Sequence, residues 1–167
     1  MKNIYSILTI FLALVVCTSC NDEWEDDLVK DNRPEIPVTF PGATTNGFNP
    51  YYTVSRAGET ITINIAIPES SPLQIKEVTK IVAGATGINA GTLSSGTNYL
   101  AAPIAVNGYE ATFSTTVTEF NSKVAASAAI PGTIPASPIV ERAFMILLTM
   151  EDDSEIIPVQ VRIRVNP

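Results

Sequence analysis

From Thr60 to Ile67 apolar and polar residues alternate without a break. Ile61, Ile63, Ile65 and Ile67 share one side, and Thr60, Thr62, Asn64 and Ala66 the other. A period of two in β-branched residues predicts a strand with one dry face. The same period recurs near the end, where Val159, Val161, Ile163 and Val165 alternate with Gln160, Arg162 and Arg164. It appears again where Tyr109, Ala111, Phe113 and Val117 oppose Glu110, Thr112, Ser114, Thr116 and Thr118. Phe144 to Leu148 is apolar on both sides, as expected of a central strand covered on both faces. Residues 75–84 are ambiguous: Leu73, Ile75, Val78, Ile81 and Val82 also fit a helical face, and Ser71-Pro72 resembles a helix start. Lys76, Glu77 and Lys80 favour an edge strand.

Turn chemistry punctuates these runs. Ala57-Gly58 joins a strand at 51–56 to the isoleucine strand, and Asn107-Gly108 marks a tight turn into the Tyr109 strand. Asp152-Asp153-Ser154 closes a hairpin between the Phe144 strand and the last one. Two stretches read as long connections: 84–103, with Tyr99 as its only aromatic, and 121–141, rich in Ala, Ser and Pro. Many strands, antiparallel hairpins and little helix predict an all-β fold, a single antiparallel β-sandwich of immunoglobulin-like type. The Cys, Trp, Cys triplet of antibody domains is missing.

The first 27 residues have a different character. Lys2 precedes an apolar stretch from Ile4 to Val16, followed by Thr18-Ser19-Cys20. This is the order of an export signal, and it is shorter than the roughly 20 apolar residues that a spanning helix needs. An uncleaved anchor helix and an ordinary secretory signal are the alternatives. The segment resembles the lipobox of bacterial lipoproteins, with Cys17 where Leu is usual. Cys17 itself is disfavoured as the lipidated residue, because Val16 is bulky for the position before the cut. The resemblance implies cleavage before Cys20 and acylation of its sulfur.

Asp22, Glu23, Glu25, Asp26 and Asp27 follow at once. They resemble the acidic export signal of Bacteroidota surface lipoproteins, which implies display on the outer face of the outer membrane. Periplasm-facing retention is the alternative, and the same carboxylates also suit a solvated, self-repelling tether. The expected organisation is a signal peptide at 1–19, a lipidated acidic tether at 20–35 and a β-sandwich at 36–167. Two or three acyl chains on Cys20 give a durable anchor, whereas one chain binds a membrane only marginally.

Charge and composition then narrow the chemistry. The 167 residues carry a net charge of −7, but 21–35 holds seven acids and two bases while 36–167 holds ten and seven. Nucleic acid is an unsuitable partner for a chain with no basic patch. There is no histidine, so a zinc site of the usual kind and Ser-His or Cys-His catalysis are excluded. No glycine-rich phosphate loop is present. Catalysis would have to rest on paired carboxylates or a Ser-Lys pair, so we expect no enzyme and no cofactor.

Glu151, Asp152, Asp153 and Glu155 cluster at one turn. Asp152 and Asp153 are candidates for calcium, which takes six to eight oxygens; a solvated hairpin tip is the plainer reading. Tyr51, Tyr52 and Tyr99 are candidates for a glycan platform, the alternative being half-buried packing. Taken whole, the chain resembles small accessory lipoproteins of Bacteroidota associated with glycan capture. That resemblance implies a non-catalytic binding or scaffolding module, anchored through Cys20, with an outer-membrane protein or a glycan as partner. A structural subunit of fimbria-like surface fibres is the alternative.

Overall fold

The structure is a computed structural model, and it describes residues 35–45, 49–135 and 138–167. All of them belong to one unit, Arg33–Pro167. Cys17, Cys20 and the acidic run from Asp22 to Asp27 lie outside the described residues.

The isoleucine alternation forms β2 (Thr60–Ala66), following β1 (Tyr51–Ser55). Then come β3 (Ile75–Gly84), helix α1 (Ala90–Ser95), β4 (Ile104–Gly108) and β5 (Glu110–Thr116). Helix α2 (Val117–Lys123) and a short 3-10 turn (Ala126–Ala128) lead to β6 (Val140–Met150), β7 (Glu155–Ile156) and β8 (Val161–Asn166). The strands form two sheets, a wide one ordered β1-β8-β6-β3-β4 with β7 also on β6, and a narrow one made of β2 and β5. The fold is thus all-β in the broad sense expected. The wide sheet is mixed rather than purely antiparallel, because β1 runs parallel to β8.

One apolar core joins the sheets. Ile61, Ile63, Ile65 and Phe113 of the narrow sheet pack with Ile75, Val78, Ile81, Phe144, Ile146 and Val161 of the wide one. Phe113, Phe120, Phe144 and Tyr99 meet edge-on or tilted, with centroids 5.5–6.5 Å apart. Such aromatic contacts add to the stabilisation from burial alone.

Several expectations are corrected by neighbouring structure. Residues 75–84 form a strand, as preferred, but an interior one flanked by β4 and β6 rather than an edge. Its helix-like spacing has a physical cause: register shifts between Ile75 and Glu77 and between Val78 and Lys80 each insert a residue, stretching the buried period from two to three. The strand expected to run through Thr118 ends at Thr116, whose Oγ1 accepts from the Glu119 N–H at 3.0 Å and caps α2. Thr116-x-x-Glu119 is the sequence signature of that helix start. Ala57-Gly58 joins strands of different sheets, and Asn107-Gly108 ends β4 where the chain crosses to β5, Gly108 holding a φ of +155° that favours glycine. Val159 is 51% exposed, outside β8 and in the gap between β7 and β8.

Both long connections are held down rather than merely tolerated. In 84–103, α1 lays Leu93 on Val82 and Met145, which covers the second face of the wide sheet and explains why β6 is apolar on both sides. Gly96 closes that helix where a Cβ would lie 2.6 Å from the Thr92 carbonyl oxygen and 2.9 Å from Val82. In 121–141, Ile130 and Ile134 are buried. Asn121 and Ile130 exchange two hydrogen bonds there, and the Arg142 guanidinium donates to the Ala128 and Ala129 carbonyls.

Candidate functional site

The three tyrosines do not converge. Tyr99 is a core residue, 4% exposed, and its hydroxyl pairs with Thr115 Oγ1 at 2.6 Å. Burial pushes its phenol pKa up. It therefore serves packing rather than a surface platform, and the alternation of β5 places Thr115 inward beneath it. Tyr51 and Tyr52 are consecutive in β1 and so point to opposite faces. The Tyr52 hydroxyl shares its one proton between the Pro41 and Asn64 carbonyls, at 2.9 and 3.1 Å, and accepts from the Asn64 N–H at 3.1 Å. Burial raises its pKa too.

The acidic turn is internally engaged. Asp152 Oδ1 accepts from the Ser154 N–H and hydroxyl, at 3.0 and 2.6 Å, and these bonds hold its carboxyl below the usual range. Asp153, in the left-handed region at φ +66°, pairs with Lys76 at 2.5 Å. Among the described residues no three acidic or cysteine side chains gather as a metal site would require.

A polar strip on the outer face of β1, β8 and β6 is the most organised surface feature. The Arg164 guanidinium lies 3.6 Å from the Tyr51 ring centroid, and its Nε donates to Glu141 Oε1 at 2.6 Å. That hydrogen bond raises the Arg164 pKa, with the Tyr51 phenol adding to it. Arg162 donates to the other Glu141 oxygen at 3.3 Å and to Gln160 Oε1 at 2.8 Å. The alternation of β8 foretold outward arginines. It carried no sign that Glu141 and Tyr51 would stand beside them, because that depends on the β6–β8 and β1–β8 registers, which pair Glu141 with Arg164 and Tyr51 with Arg162.

A cleft of about 270 Å³ opens beside Asn98, Leu100 and Lys123. Two of its polar groups are committed: Asn98 Oδ1 accepts from the Ile81 and Leu100 amides at 3.1 Å, and Lys123 Nζ donates to Glu119 and the Tyr99 carbonyl. Lys76 holds Asp153 and Lys80 the Leu93 carbonyl, so none of the described lysines is hydrogen-bonded to a serine. The strip can offer guanidinium donors and carboxylate acceptors to a ligand. It places no nucleophile beside a base.

Comparison of the chain with family models, with curated proteins and with solved structures gave no match.

Proposed function

We propose that the chain is a cell-surface lipoprotein whose folded part is a non-catalytic binding or scaffolding module, accessory to glycan capture at the outer membrane. The observation that carries this reading is the junction Thr18-Ser19-Cys20 ahead of five acidic residues in six. Acyl chains on Cys20 would fix the protein to the membrane, and the carboxylates would keep the following segment solvated and extended.

We read the body as an immunoglobulin-like sandwich. Two features support this: the strand order β1-β8-β6-β3-β4 against β2-β5, and the parallel pairing of the first strand with the last. Sandwiches of this kind present loops and sheet faces to partners without needing a catalytic centre. The strip of Tyr51, Arg164, Glu141 and Arg162 supplies directional hydrogen-bonding groups suited to a hydroxyl-rich ligand.

The deciding experiment is metabolic labelling with a tagged fatty acid in a bacterial host, followed by mass spectrometry of the N-terminal peptide and protease treatment of intact cells. The expected result is label on Cys20, absence of residues 1–19, and digestion from outside. Cys20→Ala should abolish the label. A bare thiol or a retained leader overturns the anchor, and a protein shielded from protease overturns surface display.

A further inference from the structure

Besides the two-residue β7, four strand edges bound the two sheets, and three of them are capped or irregular. At β1, Thr44 and Tyr51 exchange backbone hydrogen bonds of 2.8 and 2.9 Å. At β2, Thr39 and Ala66 do the same, and the Tyr52 hydroxyl occupies both the N–H and the C=O of Asn64. β4 is only five residues long, and a register shift in its pairing with β3 makes it irregular, as edge strands that resist pairing are. The outer edge of β5 has none of these devices among the described residues.

Register fixes which groups that edge presents. β2 and β5 pair without a break from Thr60↔Thr116 to Ala66↔Glu110, and the flanking bonds run from Ile67 N to Tyr109 O and from Val117 N to Glu59 O. In an antiparallel ladder, hydrogen-bonded pairs alternate with non-bonded ones, so the odd residues of β5 bond to β2. The backbone groups of Glu110, Thr112 and Ser114 therefore point away from β2. Their side chains are exposed, Thr112 and Ser114 reaching across the sheet to Asn64 and Thr62 of β2, while Ala111, Phe113 and Thr115 between them are buried. The run contains no proline, lysine or bulge, the usual means by which an edge is kept from pairing.

We propose that this edge pairs antiparallel with the β5 edge of a second copy of the chain, making one continuous four-stranded sheet across a two-fold axis. The edge is self-complementary. A register centred on Phe113 overlaps all seven residues and sets Thr112 opposite Ser114 of the other copy, a hydroxyl pair of the kind that stabilises cross-strand neighbours. Glu110 then faces Thr116, and the two Glu110 carboxylates stand roughly 20 Å apart at about 3.3 Å per residue. No like charges oppose each other. The pairing needs no specificity pocket, which an unrelated peptide strand would require, and it is independent of the lipid anchor.

Sedimentation velocity of the full chain in detergent, over a range of concentrations, tests it. The expected result is a monomer–dimer equilibrium. Thr112→Lys with Ser114→Lys places ammonium groups opposite each other and should weaken the dimer at least roughly tenfold, with the melting temperature kept as a check on folding. Mixing that variant with Thr112→Glu plus Ser114→Glu should restore association between unlike chains. A monomer at every concentration overturns the proposal. So does a Lys variant that dimerises like the parent, or a mixture that fails to associate.

Discussion

The two strands of the narrow sheet share a core and a register, yet their outer edges are treated differently. β2 is sealed at Ala66 by Thr39 and at Asn64 by the Tyr52 hydroxyl. The outer backbone groups of β5 have no such partner among the described residues; its side chains are engaged inward by burial and the Tyr99–Thr115 hydrogen bond, and on the outer face by Asn64 and Thr62 of β2. Tertiary structure thus decides what an edge does, since both strands carry the same alternation in the sequence.

The largest test asks whether the two strands really rest on one core. Phe113→Ala removes a ring packed against Tyr99 and Phe144, and should lower stability by about 3–5 kcal/mol in urea unfolding. A loss below about 1 kcal/mol would mean that the sheets are less closely joined than the geometry indicates. A smaller effect isolates the edge itself. Tyr52→Phe should cost about 1 kcal/mol and speed hydrogen exchange at the Asn64 amide. In the parent chain that amide should exchange slowly and those of Thr112 and Ser114 quickly when the protein is monomeric; equal rates would erase the contrast.

The smallest effect concerns the helix that ends β5. Glu119 accepts from Lys123 at 2.7 Å and from the Thr115 hydroxyl at 2.8 Å, and these bonds lower its pKa from the ordinary 4.5. A depressed folded-state pKa stabilises the fold above the unfolded value, and the gain disappears as pH falls through the folded one. Glu119→Gln should therefore flatten the stability profile below about pH 4.5. The change should amount to a few tenths of a kcal/mol, because solvent screens this half-exposed pair. Thermal melts between pH 6 and about pH 3 would register it.

How legible these features were depended on how regularly each segment packs. The isoleucine strand and β6 were plain, because one dry face gives period two and two covered faces give an unbroken apolar run. β3 was ambiguous because bulges mimic a helical period, and its place inside the sheet followed from β4, a short strand with little signal of its own. Thr116-x-x-Glu119 is the signature of α2, but it continues the alternation of β5 and is masked by it. Among the site candidates, residue type alone could not sort the tyrosines, since Tyr99 is core, Tyr52 guards an edge and Tyr51 stacks with an arginine. Glu141 carries no signal of its own in the sequence, because what distinguishes it is the strand pairing that brings Arg162 and Arg164 alongside.

The parallel pairing of β1 with β8 has a mechanical consequence. Five successive rungs, from Tyr51↔Arg162 to Ser55↔Asn166, connect the two strands side by side. A pull on residue 51 against residue 166 would drag the strands lengthwise past each other, loading those rungs together instead of unzipping them one by one. Such a joint withstands sudden tension better than its modest length suggests.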